Sequence, residues 1–271
     1  MEHLQVDKPK DRDGLRNKFA KEYFIRRRQL SWMIAGKKFA HADDTISLNH
    51  SLIRHRSFLL RPLKDVDMIL QHNKVTNLKI AIGHIHKFVI KPGQTFSIWR
   101  LVGRPTKAKG YLDGLTLNNG KISRGTGGGL CQLGNLLYWM ALHTPLTITE
   151  RWRHSYDVFP DINRTIPFGC GATLSYNYID LQLLNNTEHT FQIILWLDKE
   201  YLNGEIRCSS ELNVKYEVFE TDHSFQHQWW GGYTRHNKIW KRITNLSDQS
   251  QKEELVTSNE AIMMYNPLLN K

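Results

Sequence analysis

Residues 124–142 read RGTGGGLCQLGNLLYWMAL, and this stretch decides the fold. The three consecutive glycines at 127–129 allow backbone conformations that other residues avoid. Cys131 follows at once, and it shares one helical face with Asn135 and Tyr138. The opposite face is an apolar stripe with the spacing of a buried helix, formed by Leu133, Leu136, Leu137, Met140 and Ala141. The sequence therefore predicts a central helix with a thiol at its N-terminus.

The residues before the glycine run predict one helix, two short strands and a hairpin. A helical apolar stripe covers residues 65–87, and either Asp65 or Asp67 would cap its start. Strands are expected at 88–90 and 95–99. The tripeptide Asn118-Asn119-Gly120 is typical of a hairpin turn, because Asn and Gly tolerate positive φ.

After residue 145 the pattern changes to that of strands. Apolar side chains alternate, or β-type residues cluster, in four segments: 146–159, 172–184, 191–197 and 212–218. Because one strong helix lies between groups of strands, we predict an α+β fold rather than a doubly wound sheet. In this fold the central helix packs on a mainly antiparallel sheet.

Charge and composition divide the chain into four predicted segments. Residues 1–64 hold 15 Lys or Arg and 7 Asp or Glu, so most of the net charge of +11 lies at this end. We predict a basic helical appendage, a core domain, a β extension and a loosely ordered tail, with the boundaries 1–60, 61–205, 206–245 and 246–271. A helix is expected over 15–35, and deletion of residues 1–45 is expected to leave the core folded.

The basic run Arg26-Arg27-Arg28 beside aromatic residues leaves several interpretations open. It would contact RNA, anionic lipid or a protein partner, or it would be the solvated face of a helix that packs on the core. No nucleic-acid-binding motif accompanies the run, so nucleic acid is not the expected partner.

Composition excludes several classes of protein. A hydrophobic content of 40% excludes a disordered chain, and three cysteines exclude a disulfide framework. No apolar run reaches 18 residues and no secretory signal is present, so we expect a cytoplasmic protein without a transmembrane helix. The histidines lack partners at metal-ligand spacing and the glycine run lacks a P-loop ending, so we expect no metal and no cofactor.

The position of Cys131 suggests nucleophilic chemistry. Free N–H groups and the helix dipole at a helix start stabilise a thiolate, which would lower the pKa of Cys131. His154 would be the base, and Asp180 would orient it. The order of glycine loop, Cys at a helix start and His on a following strand is similar to that of papain-like thiol enzymes. The alternative is a small buried cysteine beside glycines that serve geometry alone.

Substrate-binding roles follow from the same hypothesis. The N–H groups of Gly127, Gly128 and Gly129, together with Gln132, would hold an oxyanion. Arg151 or Arg153 would bind a substrate carboxylate through a guanidinium fork. Asn135 and Tyr138 would line the same cleft. On this hypothesis Gly129→Ala would cost activity more than stability, because the substrate rather than the fold would exclude a Cβ.

Several motifs resemble the VanW family, and the resemblance covers roughly residues 50–205. They lie, in the family's order, at 92–97, 109–111, 127–138, 150–155, 180–182 and 185–187. The resemblance implies an association with glycopeptide (vancomycin) resistance and the bacterial cell wall, with peptidoglycan precursors or envelope peptides as partners. The family pattern Gly-x-Asp-Ala stands here as Gly169-Cys170-Gly171-Ala172, so residue 171 receives no role.

Two functional hypotheses therefore stand. The first is a thiol acyl-transfer enzyme, a peptidase, amidase or transpeptidase acting on peptidoglycan-type peptides, with Cys131 as nucleophile. The second is a non-catalytic accessory protein that binds an envelope peptide or the antibiotic in the same cleft.

Overall fold

The computed structural model describes residues 15–34, 36–40, 46–60, 67–118, 120–160 and 165–267. Its helices are α1 (Leu15–Ile34), α2 (Met68–Gly83), α3 (Ile98–Val102) and α4 (Cys131–Leu142). A 3-10 turn covers Lys107–Lys109. Its strands are β1 (His50–Phe58), β2 (Phe88–Ile90), β3 (Thr95–Ser97), β4 (Asp113–Asn118), β5 (Lys121–Thr126), β6 (Thr147–Glu150), β7 (Tyr156–Asp157), β8 (Gln182–Leu184), β9 (Phe191–Leu197), β10 (Tyr201–Cys208), β11 (Val214–His227), β12 (Tyr233–Asn245) and β13 (Gln251–Met263).

The strands form three sheets and one hairpin. The strand orders are β1-β10-β9-β2, β3-β8-β6 and β11-β12-β13-β7, and β4 pairs with β5 alone. Every named pair is antiparallel except β13 with β7. The predicted α+β class and the mainly antiparallel pairing are confirmed.

The central helix α4 fills the core as the apolar spacing predicts. All five residues of its stripe are buried, and the helix packs against β1 and β10. Gly204 of β10 allows this contact, because a Cβ there would lie 2.6 Å from Met140 Cε. Helix α2 packs on the same core through Leu78, Ala81 and Ile82. These contacts fix the start of α4, where the candidate site lies.

Local signals account for several element boundaries. The Asp67 carboxylate accepts a hydrogen bond from the Ile69 N–H at 3.0 Å and caps α2, whereas Asp65 lies outside the described residues. The hairpin is present, with Asn118 paired to Lys121 and Gly120 at φ +76°. The strand predicted at 95–99 ends at Ser97, whose hydroxyl accepts from the Arg100 N–H and starts α3 instead.

The papain-like order of elements is not confirmed. His154 lies in the connection between β6 and β7 rather than on a strand, and Asp180 comes two residues before β8. Most of the segment predicted as a strand at 172–184 has irregular backbone. It is held instead by side chains from α4 and from the residues that follow β6.

The C-terminal segment is more ordered than its polar composition indicates. Residues 251–263, predicted to belong to a loose tail, form β13 and pair with β12 from Thr244↔Gln251 to Thr234↔Ile262. Pairing with β12 supplies the backbone hydrogen bonds that composition alone does not reveal. Residues 268–271 lie outside the described residues.

The N-terminal segment is more closely attached than an appendage. Helix α1 is present as predicted, and its Ile25 is 2% exposed. Phe39 forms a parallel bridge to Thr95, and β1 is an edge strand of the sheet β1-β10-β9-β2. The core therefore uses residues that the prediction placed outside it. Within the described ranges, no helix combines the length and apolar character needed to cross a bilayer.

Candidate functional site

Cys131 is the first residue of α4, as predicted, and its thiol contacts the backbone of one other residue. Sγ lies 3.4 Å from the Leu174 nitrogen, which donates to it, and 3.7 Å from the Leu174 oxygen, to which the thiol donates. The residue as a whole is half-buried. The thiol is therefore engaged by the chain itself.

Burial raises the pKa of the Cys131 thiol, and the hydrogen bond from the Leu174 N–H only partly opposes this. The prediction of a lowered pKa is wrong in direction, because loss of water at the sulfur outweighs the favourable helix terminus. At neutral pH the group is a thiol and not a thiolate.

Residues 169–174, here called the covering segment, lie across the polar face of α4. Asn135 Oδ1 accepts from the Ala172 N–H at 2.8 Å. Arg151 donates from Nε to the Gly171 oxygen at 2.8 Å and from a second nitrogen to the Gly169 oxygen. The face that the sequence predicted as an open substrate cleft is therefore occupied by the protein's own backbone.

The covering segment also explains why residue 171 is a glycine here, where the pattern Gly-x-Asp-Ala has an aspartate. A Cβ on Gly171 would lie 2.7 Å from Asn135 Oδ1, so any side chain there requires Asn135 to move. The Tyr138 ring is buried, and the Arg151 guanidinium lies 4.6 Å from its centroid. Arg151, Asn135 and Tyr138 thus act together in holding this segment.

The glycine run is shaped by the fold itself. A Cβ on Gly128 would lie 2.3 Å from the Gly114 carbonyl carbon, and one on Gly129, which has φ +91°, would lie 2.2 Å from Lys74 Cγ. The buried Asn77 side chain donates to the Gly128 oxygen at 2.9 Å. Close approach of β4 and α2, rather than of a substrate, therefore accounts for the missing Cβ atoms.

Three of the four proposed oxyanion donors already have partners. The Gly127 N–H donates to the Leu112 oxygen at 3.0 Å, and the Gly128 N–H donates to the Gly125 oxygen at 3.0 Å. The Gln132 amide donates to Ser57 Oγ at 2.7 Å and to the Phe58 oxygen at 2.7 Å. These groups tie the start of α4 to its neighbours.

His154 lies between β6 and β7, close to Arg151. Burial lowers the pKa of His154, and the charge of Arg151 lowers it further, so the imidazole is neutral at pH 7. Within the described residues, no hydrogen bond joins His154 to Cys131 or to Asp180. The three predicted catalytic residues therefore do not form a hydrogen-bonded triad here.

Asp180 belongs to a different buried group, here called the Arg28 cluster. It accepts from Ser97 Oγ at 2.6 Å and from the Trp99 N–H at 3.2 Å. Arg28 of α1 forms a bidentate pair with Glu150, at 2.7 and 2.8 Å. Gln182 bridges the two carboxylates at 3.0 and 3.3 Å. Burial, together with Glu150, raises the pKa of Asp180 to about 6.

Arg153 differs from Arg151 in having an unused donor. Its Nη1 is buried and has no hydrogen-bond partner among the described residues, although part of the residue is exposed. Burial lowers the pKa of Arg153, Glu260 opposes this, and Arg151 adds to it. Burial also lowers the pKa of the neighbouring His236. Arg153 therefore lies near a second cation, Arg151, and near the carboxylate of Glu260.

Sequence reasoning missed Glu260 and His236 at this site, and it missed Arg28 and Glu150 at the Arg28 cluster. The first two come from β13 and β12, which carry no motif. No group of three or more His, Cys, Asp or Glu side chains in the described ranges is arranged to hold a metal ion. The candidate site is thus the surface around Arg153, beside the covered face of α4.

Comparison with known proteins identifies relatives of this chain. It is 45% identical over 152 residues to the vancomycin B-type resistance protein VanW of Enterococcus faecalis. The aligned region covers 56% of this chain and 55% of that protein. It is 31% identical over 109 residues to the uncharacterized protein YoaR of Bacillus subtilis, which covers 40% of this chain and 34% of that one. The matches thus span about half of the first relative and a third of the second.

No solved structure matches the chain. The family match covers residues 73–207, which include α4, the covering segment, Arg153 and Asp180. The description of that family is "VanW like protein". This domain contains the glycine run, Cys131 at the start of α4 and the covering segment. The chain belongs to the VanW family through this domain.

Proposed function

We propose that this chain is a non-catalytic accessory protein of vancomycin resistance that binds the free carboxylate of an envelope peptide through Arg153. The role in resistance extends to this chain what the name of its Enterococcus faecalis relative says. The observation that carries the binding role is the buried Nη1 of Arg153, a cationic donor for which the described part of the chain supplies no partner.

The chemistry of Arg153 suits a carboxylate. An arginine presents two parallel N–H donors that match the two oxygens of a carboxylate, and such bonds are stronger than neutral ones. An unsatisfied buried donor carries a desolvation cost that a ligand would remove. Arg151 is less suited to this role, because it already donates to the oxygens of Gly169 and Gly171.

A thiol enzyme is the second candidate function. Two observations favour it: Cys131 begins α4, and His154 is neutral at pH 7, as a general base must be. Three observations weigh against it: the raised pKa of Cys131, the covering segment, and the hydrogen bonds of Asp180 to Ser97 and Trp99. Opening of the covering segment would be required before Cys131 could attack an acyl group.

Calorimetric titration of the full chain with a peptidoglycan-type peptide tests the proposal. We expect the peptide with a free C-terminal carboxylate to bind at least about tenfold more tightly than its C-terminal amide, because the charge-assisted bonds to Arg153 are lost. Arg153→Gln should remove this preference. The matched control is Arg124→Gln, because Arg124 is 66% exposed and pairs with Asp67 at the surface.

Three results would contradict the proposal. The first is equal binding of acid and amide by the wild-type chain. The second is a preference that survives in Arg153→Gln while the variant melts normally. The third is release of a peptide fragment that stops in Cys131→Ser, which would favour the thiol enzyme instead.

A further inference from the structure

Helix α1 has two apolar faces, and within the described residues only one of them is packed against the rest of the protein. Ile25 is buried, Trp32 packs against the core, and Arg28 reaches the Arg28 cluster. On the other side, five large apolar residues are exposed to solvent: Phe19 (73%), Tyr23 (62%), Leu30 (57%), Met33 (82%) and Ile34 (80%). At about 100° per residue these five fall within a stripe about 100° wide. We call it the outer stripe of α1.

Two arginines accompany the outer stripe: Arg26 lies within it and Arg27 lies at its edge. Arg26 and Arg27 lie with Tyr23, Leu30 and Ile34 around one shallow depression on the surface of α1. The helix contains six basic residues and one acidic residue, Glu22. Glu22 is already paired with Arg26 and with Arg104, at 3.5 and 3.4 Å. The outer stripe therefore combines a large apolar surface with an excess of positive charge.

We propose that the outer stripe of α1 binds the surface of an anionic lipid bilayer, with the helix lying in the plane of the interface. Apolar side chains of such a helix enter the boundary between headgroups and acyl chains, and its long arginine side chains extend to the lipid phosphates. The outer stripe runs from Phe19 to Ile34, and these 16 residues of helix give a contact about 24 Å long. The rest of the protein lies on the opposite side of α1 and stays outside the bilayer.

Other occupants fit the outer stripe less well. A second copy of the chain would bring Arg26 and Arg27 close to their own counterparts, and like charges repel. RNA would pair with the arginines, but it offers nothing to cover Leu30, Met33 and Ile34. An anionic bilayer satisfies both the apolar and the charged part of this surface. This proposal does not depend on the function proposed for Arg153.

Vesicle flotation of the full chain tests the proposal. We expect binding to vesicles of phosphatidylglycerol and phosphatidylcholine to exceed binding to phosphatidylcholine alone by about tenfold, and to fall with added salt. The triple variant Leu30→Ser, Met33→Ser, Ile34→Ser should lose about tenfold or more in affinity. Its melting temperature should stay close to that of the wild type, since all three side chains are exposed.

The matched control is Leu255→Ser on β13, which removes a large apolar residue that is 49% exposed away from α1. It should bind vesicles as the wild type does. The proposal is overturned if the triple variant floats equally well, or if the chain binds no anionic vesicles. It is equally overturned if the outer stripe is instead covered by a second copy, seen as a lipid-free dimer that the triple variant dissociates. Retention of RNA in place of vesicles would overturn it as well.

Discussion

Replacing Arg28 by alanine is expected to lower the free energy of unfolding by about 3–5 kcal/mol. Arg28 is the cation that faces both Glu150, at 2.7 Å, and the fully buried Asp180, at 3.9 Å. Without Arg28, two neighbouring carboxylates remain with little access to water and no opposite charge. The same change removes one of the contacts that hold α1 to the core, beside those of Ile25 and Trp32.

The loss should depend on pH in a defined direction. The pKa of Asp180 is raised to about 6, so this carboxyl becomes neutral in the folded protein as the pH falls below that value. A neutral Asp180 needs Arg28 less, and the cost of Arg28→Ala should therefore be smaller at pH 5 than at pH 7.5. Urea unfolding of both proteins at the two pH values measures this difference.

Arg26→Ala is the matched control on the same helix. Arg26 is 73% exposed and its partner Glu22 is one turn away, so we expect a change of no more than about 0.5 kcal/mol. Equal, small losses for Arg26→Ala and Arg28→Ala would show that α1 is not anchored through the Arg28 cluster.

Gly128→Ala is expected to destabilise the fold by at least about 3 kcal/mol. Its Cβ would lie within 2.3–2.8 Å of three backbone atoms of Gly114, and backbone cannot swing aside as a flexible side chain can. Relief requires β4 to separate from the glycine loop, which also strains the hydrogen bond from Asn77 to the Gly128 oxygen. Chemical unfolding of the purified variant gives the loss directly.

Gly83→Ala is the control for this substitution. Nothing lies within 4 Å of a Cβ on Gly83, and its φ is not positive. The change should therefore be neutral or stabilise the protein by up to about 1 kcal/mol. If Gly128→Ala were as stable as Gly83→Ala while losing function, the close approach of Gly114 would not be the reason for a glycine at 128.

The same contacts revise the expectation for Gly129. From the sequence alone, Gly129→Ala is expected to cost activity more than stability, because a substrate would fill the space beside the glycine. In the structure that space is filled by the Lys74 side chain, and the backbone at Gly129 has φ +91°. Strain in the fold is therefore expected to account for most of the effect.

The sequence predicted those parts of the fold that depend on local pattern. The stripe of α4, the cap at Asp67 and the turn at Gly120 each rest on residues close together in the chain. It did not predict β13, whose order depends on pairing with β12. Nor did it predict that Arg28, one of three adjacent arginines, would reach Glu150 across 122 residues of sequence.

The candidate site, too, was predictable only where it depends on residues close together in the chain. The placement of Cys131 at the start of α4 was predictable from helical spacing, and it is confirmed. Its pKa was not, because the shift is caused by the covering segment, whose path has no periodic signal. Long-range burial, rather than the helix terminus, decides the state of the thiol.

The decisive measurement is the rate at which Cys131 reacts with iodoacetamide, with the modified residue located by mass spectrometry. The proposed binding function requires the Cys131 thiol to be neutral and covered by the protein's own chain. We predict slow alkylation of Cys131 at pH 7, with a rate that rises only as the pH exceeds the value of about 8.5 typical of a free thiol. Fast, selective alkylation of Cys131 at pH 7, absent from Cys131→Ser, would contradict the account and restore the thiol nucleophile.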